Sequence, residues 1–485
     1  MKSEKIIPLC LAAILCAALA ACGDGGTEGN DLDTQNLTTE TVLTETTEDT
    51  LAHDNLGDIR FDGETFHMWL TYSELAGYVM EETTGDVFDD AVYERNKAVE
   101  ERLGVKLEYT FSGHEFGGNG YAAGCKDIRN YVMAGDDTFD VYVQVQNGDV
   151  GGLIDDGMFV DWYDVPNVDL TREYWYKNAI DNINYGTKLY RVTGYYENSI
   201  LAASNCIYFN KRIFRDCDVE YPYEEVLNGT WTIDGLMQII TDTTSDLNGD
   251  GKLDCREDQF GYLGRSYNTP YALFIGLGGD CISRDEHNMP QNVIMTERNS
   301  DIIDRLLQLQ NPVGGTEIIG DTAEMRDLFI AAHAATVHGE LGYSNDYFRA
   351  MKDDYGFVPY PKMDAAQKDY YSYIRGSAPL TYIPVTNTHL EKTGAVLEVM
   401  ACESYNRVVP AYVDVVLTTK VTRDTESEQM VPIILNSASF YDHVLTQFDV
   451  VNCYFHNTTL AVEYAKNEKY VNKALETLAR TYTGS

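Results

Sequence analysis

Residues 66–70 read FHMWL, residues 86–104 read DVFDDAVYERNKAVEERLG, and residues 105–111 read VKLEYTF. The first and third stretches alternate apolar and polar side chains, as strands do. The middle stretch repeats apolar residues at helical spacing and is flanked by a candidate N-cap, Asp86, and a candidate stop, Gly104. A strand, a helix and a strand in this order predict a parallel α/β sheet with right-handed crossovers.

The same order recurs further along the chain. Residues 139–145 (FDVYVQV) are typical of a buried strand, and a helix is predicted to begin at Asp149. The link between them is Gln146-Asn147-Gly148. In open α/β sheets, ligands bind where the carboxyl end of a strand leads into a helix, so this link is a candidate binding segment.

The rest of the chain also mixes helices and strands. Periodicity predicts helices at 234–243, 300–310, 323–337 and 390–402. It predicts strands at 188–193, 207–210, 355–359 and 380–383. No internal repeat is evident, which disfavours a solenoid or a propeller.

The amino terminus carries a processing signal. Two lysines precede an apolar run from Ile6 to Ala18. This run is about 13 residues long, and about 20 are needed to span a bilayer, so residues 1–21 are predicted to be a cleaved signal peptide. The run ends on Leu19-Ala20-Ala21-Cys22, which resembles the lipobox of bacterial lipoproteins and implies acylation (palmitate) of Cys22. An ordinary secretory signal cut after Ala21 is the alternative.

Residues 22–58 are predicted to be a disordered tether behind the lipidated Cys22. From Gly23 to Asp58 the chain has ten Asp or Glu residues, many threonines and no Lys or Arg. Such a segment buries too little apolar surface to repay the entropy of ordering, and its like charges keep it extended. We therefore expect a folded body held away from a membrane surface.

Composition narrows the class of ligand. The 485-residue chain has 77 Asp and Glu against 36 Lys and Arg, for a net charge of −41. This charge argues against nucleic acid and disfavours polyanions, and it suits neutral ligands and cations. The chain also has 35 Tyr, a side chain suited to stacking on sugar rings and bonding to their hydroxyls. Seven Cys follow Cys22 without CxxC or metal-like spacing, so no disulfide framework is indicated, although a single pair is left open.

Residues 246–257, DLNGDGKLDCRE, fit the calcium-loop pattern D-x-[DN]-x-[DN]-G-x5-E at every defined position. Ca²⁺ takes six to eight oxygen ligands, and this loop concentrates them in one short segment. A helix is predicted before the loop but not after it, which favours a structural site over a sensor. The predicted ligands are Asp246, Asn248, Asp250, Lys252 through its carbonyl, Asp254 and Glu257.

Catalytic motifs are absent or weak. The chain has no HExxH, Walker P-loop or GxSxG sequence, and its nine His show no ligand or triad spacing. Residues 118–123 (GNGYAA) match GxGxxA only loosely. Carboxylates are so abundant that no glycosidase pair can be named. The sequence favours a protein that is not an enzyme.

Five stretches resemble the extracellular solute-binding proteins of bacterial ABC importers, in the carbohydrate-type family 1. They are FDDAVYERNKAVEERLGV (88–105), IYFNKRIF (207–214), GTWTIDGL (229–236), DYGFVPYPKMDAAQ (354–367) and AYVDVVLTTKVTRDTES (411–427). With the lipobox, they extend over the mature body in the expected order. The resemblance implies an α/β, two-lobed, type II periplasmic-binding-protein-like fold with a ligand cleft between lobes joined by hinge strands.

The order of these stretches implies the lobe boundaries. The N-terminal lobe is expected to comprise 59–195 plus 379–415, and the C-terminal lobe 196–378 plus 416–485. Hinge crossings are expected near Gly194–Ser199, Arg375–Ala378 and Tyr412–Leu417. In this fold the lobes close on the ligand, and the closed form docks on the permease.

Candidate ligand contacts come from four segments. Trp69 and Tyr72 follow the first strand, although Trp69 could equally be a core residue. Gln146, Asn147 and Asp149 lie at the strand-to-helix link, and Tyr195, Tyr196 and Glu197 lie at the first hinge. Glu340 and Tyr343 align with a loop that supplies an aromatic residue in maltose-binding protein, but the Trp-rich pattern of that loop is replaced here, which puts the same sugar in doubt. Trp231 is expected to be a packing residue.

The resemblance implies a monomer that captures a sugar or oligosaccharide outside the cell. Its expected partners are permease subunits and the membrane, through the lipid anchor, at the extracellular face. Two other functions stay open: a binder of another solute, such as a peptide or a cation, and an extracellular carbohydrate-active enzyme.

Overall fold

The computed structural model describes residues 51–72, 79–146, 148–310, 315–418, 425–441 and 448–483. The signal peptide, Cys22 and Asn147 lie outside these residues. Four strands form the first sheet, in the order β12-β3-β1-β2: β1 (Thr65–Tyr72), β2 (Lys106–His114), β3 (Val141–Val145) and β12 (Pro379–Tyr382). β1 pairs in parallel with β2 and β3, and β12 pairs antiparallel with β3.

The helix that links β1 and β2 has both of its predicted ends. Helix α1 (Val87–Leu103) begins after Asp86, whose carboxylate accepts hydrogen bonds from the amides of Phe88 and Asp89. It ends at Gly104, which adopts a left-handed conformation with φ of 67°. Such caps satisfy backbone groups that a helix end leaves unpaired. The predicted strand–helix–strand unit is therefore confirmed, with its strands parallel.

The second sheet is built entirely from the middle of the chain. Its strands are β4 (Asn205–Asn210), β5 (Phe260–Arg265), β8 (Thr316–Ile319), β9 (Ala334–Glu340) and β10 (Tyr355–Val358), in the order β10-β4-β9-β5-β8. β4 is antiparallel to β9 and β10, and β5 is parallel to β8 and β9. Two small sheets pair β6 (Ile282–Arg284) with β7 (Pro290–Asn292) and β11 (Ser372–Ile374) with β13 (Ala438–Phe440).

The remaining helices surround these sheets. Those of the first half are α2 (Gly118–Met133), α3 (Val150–Asp155), α4 (Lys177–Asn182), α5 (Asn198–Ala203), α6 (Lys211–Asp216), α7 (Tyr223–Leu227) and α8 (Ile233–Thr243). Those of the second half are α9 (Thr269–Gly276), α10 (Glu297–Leu309), α11 (Thr322–Ile330), α12 (Tyr343–Asp346), α13 (Leu390–Glu403), α14 (Val409–Thr418), α15 (Thr425–Asn436), α16 (Asn452–Phe455) and α17 (Leu460–Thr483). A π-helical turn at Ser404–Val408 joins α13 to α14.

Two chain segments run side by side between the sheets. Residues 192–204 lead from the first sheet to β4, and residues 374–381 lead back to β12. Antiparallel bridges join them at Val192–Thr381 and at Ser204–Ile374. The Tyr196 hydroxyl also donates to Oγ1 of Thr381 at 2.9 Å. These segments, named here the crossing segments, contain the first two predicted hinge positions.

Three predicted elements differ from the structure. The helix predicted at 323–337 ends at Ile330, and β9 occupies its second half, because Ala332 takes a left-handed turn (φ 64°) in which its amide donates to the Phe329 carbonyl. The segment predicted as a strand at 188–193 makes only single bridges. The Leu189 amide donates to the Asp161 carboxylate and its carbonyl accepts from the Trp162 amide, so neither group pairs with a neighbouring strand. The third crossing predicted at 412–417 is helical, within α14.

The seven cysteines in the described part of the chain form no disulfide with one another, and six of them are buried. Burial raises the pKa of Cys125, Cys402 and Cys453 to about 12. Over the same residues, the structure contains no helix with the length and apolar character needed to cross a membrane.

Candidate functional site: a cleft lined from both sheets

A cavity of about 490 Å³ lies where loops that follow strands of both sheets meet. We name it the cleft cavity. Its walls come from the segments after β2, β3 and β5, from the second crossing segment, and from the chain after β13. Ends of strands are where open α/β sheets place ligands, because the connecting loops leave a crevice there.

Aromatic rings form much of the cavity wall. Phe116 and Tyr267 project most, with 48% and 54% of their surface exposed. Tyr271 lies behind Tyr267, with ring centroids 5.8 Å apart, and contacts Tyr441 at 5.2 Å. Exposed rings on a concave wall can stack on the apolar face of a pyranose. The aromatic lining consists of Phe116, Tyr121, Tyr267, Tyr271, Tyr441 and Phe448.

Two arginines of the cavity are held by one buried carboxylate. Glu340, at the end of β9, is 5% exposed. Its Oε2 lies 3.2 Å from Nη1 of Arg375, and its Oε1 lies 3.7 Å from Nη1 of Arg265. Asn268 Nδ2 donates to the same Oε1 at 3.4 Å. Glu340 raises the pKa of Arg375 and fixes the direction of both guanidinium groups.

A second carboxylate, Asp449, comes from the chain after β13. Asp449 lines the cavity and accepts hydrogen bonds from the Tyr271 hydroxyl and from the Val451 amide. Burial raises the pKa of Asp449, and burial together with this carboxylate raises the pKa of Tyr271. Asp449 therefore orients Tyr271 within the aromatic wall.

Gln146 connects the cleft cavity to a second one. A cavity of about 400 Å³, the side cavity, lies between α3 and α17 and shares Gln146 and Gly148 with the first. Arg191 Nη1 donates to Oε1 of Gln146 at 3.3 Å, and Gln146 Nε2 is buried without a hydrogen-bond partner among the described residues. Asp149, the residue before α3, lines the side cavity.

Trp69 and Tyr72, predicted to follow the first strand, lie within β1 and behind the cavity wall. Trp69 is 1% exposed and packs edge-on against Tyr142, so it presents no ring face to the cleft cavity. Tyr72 is 3% exposed, and its hydroxyl donates to the Ser377 carbonyl. Its ring contacts Phe116 and Tyr121, so Tyr72 supports residues that line the cavity.

The residues predicted at the first hinge are also buried. The ring of Tyr195 packs against that of Tyr176, tilted by 36° with centroids 4.2 Å apart. Tyr196 is fully buried against Trp175 and bonded to Thr381. Glu197 is 1% exposed and accepts hydrogen bonds from the amide and hydroxyl of Ser199. None of these three lines a described cavity, and they brace the crossing segments instead.

Glu340 acts at the cleft cavity through the arginines it holds. Tyr343, 5% exposed, lies next to it and accepts a cation–π contact from Arg326 at 5.4 Å. Trp231 is buried with its indole N–H bonded to the Pro359 carbonyl, as a packing residue would be.

Most cavity residues were not predicted from the sequence. No ligand contact was predicted in the segments that supply the aromatic wall, Arg265, Asn268, Arg375 and Asp449, although Arg375 lies in a predicted hinge. One signal was present: residues 260–269 read FGYLGRSYNT, a strand that leads into a helix as residues 139–150 do. Applying the strand-end rule there would have found Tyr267 and Asn268.

The predicted calcium loop is a closed surface loop. The single bridge between Ser245 and Gln259 joins its ends, α8 precedes it, and strand β5 follows it. Its donor chemistry fits Ca²⁺, and Asn248 Nδ2 donates to Oε2 of Glu257 at 2.9 Å, which brings two predicted ligands together. Asp246 accepts from the amides of Gly249 and Gly251. Among the described residues, no group of three or more His, Cys, Asp or Glu side chains is gathered as a metal site.

The chain has the two-lobed α/β fold of periplasmic solute-binding proteins, as predicted. An ABC substrate-binding protein of Listeria monocytogenes, solved with cycloalternan, has a TM-score of 0.53 and 14% identity over 86% of this chain and 100% of its own. The GacH receptor of Streptomyces glaucescens, solved with acarbose, has a TM-score of 0.52 and 15% identity over 85% and 99%. A cyclo/maltodextrin-binding protein with maltotetraose has a TM-score of 0.54 and 12% identity over 86% and 97%. No protein-family model matches the chain, and no curated protein matches its sequence.

Proposed function

We propose that this protein is the substrate-binding lipoprotein of an ABC importer and captures a sugar or oligosaccharide outside the cell. The observation that carries the proposal is the cleft cavity, in which aromatic rings and hydrogen-bonding side chains from both sheets face one space. Flat rings suit sugar faces, and arginine, amide and carboxylate groups suit sugar hydroxyls. Proteins of the same fold have been solved with oligosaccharides, which supports this class of ligand.

Binding by closure follows from how the two sheets are connected. Each sheet supplies part of the cavity wall, so a ligand that touches both walls favours the closed form. The crossing segments provide the hinge, and the buried residues Tyr195, Tyr196 and Glu197 brace it. Closure buries the ligand and presents one defined shape to a permease.

The proposal assigns no catalysis to the cavity. Asp449, which lines the cavity, accepts a hydrogen bond from Tyr271, and Glu340, behind the wall, pairs with Arg265 and Arg375. Transport also fits the predicted signal peptide, the lipid on Cys22 and the acidic tether, which would hold the body at the extracellular face of the membrane beside its permease.

Ca²⁺ bound in the loop 246–257 is part of the proposal. Asp246, Asn248, Asp250, Asp254 and Glu257 would supply side-chain oxygens, and Lys252 would supply its carbonyl. The ion would fix the connection between α8 and β5, and β5 leads to Arg265 and Tyr267 at the cleft cavity. Its role is therefore structural support on the cavity side of the second sheet.

The experiment that tests the function is a thermal-shift screen of residues 23–485, with calcium present, against oligosaccharides, amino acids and peptides. A ligand at a hundredfold excess over its Kd should stabilise the fold by about 2.7 kcal/mol, which raises the Tm by a few degrees. A shift from one class of glycan, with the glycan recovered unchanged, would support the proposal. A shift only from peptides or cations would replace it with another solute, and turnover of the glycan would replace it with an enzyme.

A further inference from the structure

The charged side chains that line the cleft cavity are mostly basic, although the chain as a whole is acidic. The chain has more than twice as many acidic residues as basic ones. Yet among the described residues that line the cavity, the charged ones are two arginines, Arg265 and Arg375, and one aspartate, Asp449. An acidic protein that gathers guanidinium groups at its cavity is arranged to receive negative charge there.

The two guanidinium groups are anchored from behind. Glu340 is 5% exposed, whereas the side chains of Arg265 and Arg375 are 29% and 32% exposed. One carboxylate thus orients two arginines and neutralises only one of their charges. A guanidinium has five N–H donors, so each keeps donors for a ligand after bonding to Glu340.

Unpartnered buried atoms of the cavity indicate what the ligand must supply. Gln146 Nε2 and Arg375 Nε are both buried and have no hydrogen-bond partner in the described part of the chain. Both are N–H donors, and both residues line the cleft cavity. Buried donors left unpaired are costly, so a ligand that bonds to them should carry acceptor oxygens.

The one acidic lining residue does not cancel this preference. The carboxylate of Asp449 already accepts from the Tyr271 hydroxyl and the Val451 amide. Each oxygen of Asp449 therefore already accepts one hydrogen bond from within the protein. The large negative charge of the rest of the chain is screened by salt beyond about 10 Å, whereas the arginines act at contact distance.

We infer that the cleft cavity binds an acidic saccharide, one whose sugar carries a carboxylate as uronic acids do. The inference rests on the proposed function and names its ligand class. The carboxylate pairs with the forked N–H groups of Arg375 and Arg265, and the aromatic wall contacts the sugar ring. A carboxylate only accepts hydrogen bonds, and its two oxygens match a guanidinium fork. Gln146 Nε2 donates to a further acceptor oxygen of the same ligand.

The test compares matched acidic and neutral glycans by calorimetry. Three pairs serve as probes: trigalacturonate and its methyl ester, a glucuronate-bearing xylo-oligosaccharide and the same chain without the uronate, and sialyllactose and lactose. We expect at least one acidic member to bind about 10- to 100-fold more tightly than its neutral partner, as charge-assisted bonds would give. The inference would be overturned if neutral glycans bound as tightly as the acidic ones, or if only neutral glycans bound. Either result would leave the proposed function standing. If no glycan binds, both fail.

Substitution then tests whether the arginines bind the carboxylate of the ligand. For the acidic probe that binds, R375Q should weaken affinity about 10- to 100-fold. The affinity of R375K, which keeps the charge but loses the forked guanidinium, should lie between those of wild type and R375Q. Affinity for any neutral glycan should change less than about threefold. If R375Q folds poorly, R265Q gives a second measurement of the same contact. R407Q is the matched control, because Arg407 pairs with Glu403 on the surface of a helix. Equal losses for acidic and neutral glycans would contradict a carboxylate contact.

Discussion

Glu197 is a buried carboxyl group in the middle of the first crossing segment, just before α5. One of its oxygens accepts hydrogen bonds from Ser199, and the other, Oε2, has no partner within the described residues. Burial disfavours the charged form and raises the pKa of Glu197 to about 8. This group therefore keeps its proton in the folded protein at pH values where an unfolded chain would lose it.

Glu197 should make the folded state less stable as the pH rises. Its folded pKa lies above the unfolded value of 4.5, so the unfolded state binds fewer protons between about pH 5 and 8, and stability falls across that range. The Glu197→Gln variant should lack this pH-dependent loss of folding stability, which is on the order of 3 kcal/mol. Urea unfolding at several pH values measures this. The exposed Glu101→Gln should keep the wild-type dependence, and parallel curves for wild type and Glu197→Gln would refute the prediction.

Tyr267 should contribute to ligand affinity without stabilising the fold. Its ring is 54% exposed in the cleft cavity, so Tyr267→Ala should change the free energy of unfolding by less than about 1 kcal/mol. Loss of a stacked ring should weaken glycan binding about tenfold. Calorimetry with the glycan found by the screen checks this prediction. Tyr163→Ala removes another exposed tyrosine, 56% exposed and away from the cavity, and should bind as wild type does.

At the scale of elements, local signals were enough where sequence and fold agree. Helix α1 was predicted to its ends because Asp86 and Gly104 are caps whose chemistry acts within a few residues. The error at 323–337 has the opposite cause. An alanine-rich run favours helix, but pairing of β9 with β4 and β5 overrides that preference after Ile330.

The cavity was harder to predict because its residues meet only in three dimensions. Phe116, Arg265, Arg375 and Asp449 are far apart in the chain, and no local pattern links them. Strand ends could be identified from alternation, which found Gln146. Which side chain at a strand end reaches the cavity depends on packing between the sheets, and Trp69 turned inward to the core.

The loop 246–257 should behave as a stabilising element. If Ca²⁺ binds there, the Tm of the calcium-saturated protein should fall by a few degrees once excess chelator removes the ion, because the ion binds only the folded loop. Glu257→Gln should remove most of this difference, since position 12 supplies two oxygens. Scanning calorimetry with and without chelator makes the measurement, with excess Mg²⁺ as the control. An unchanged Tm would remove calcium from the proposal.

At the scale of the whole molecule, two sheets are linked by paired crossing segments with a cavity lined from both sides. A saturating glycan should close the cavity and lower the radius of gyration measured by small-angle X-ray scattering. Val192→Pro should weaken this response, since its amide donates to Thr381 across the two segments and proline has no N–H. Val385→Pro, at an exposed position outside these segments, tests for a general effect of proline. No compaction on ligand binding would exclude hinge closure.

The order of strands has a consequence for how the chain acquires its structure. Every strand of the second sheet lies within residues 205–358, so that sheet can assemble from one continuous stretch. The first sheet cannot be completed until later, because one of the two partners of β3 is β12, at residues 379–382. Long-range pairing of this kind is slow, and until it occurs the edge of β3 lies open to other strands. Newly made chains should thus pass through an intermediate with one sheet formed and the other incomplete, and that intermediate is the species most exposed to aggregation during biogenesis.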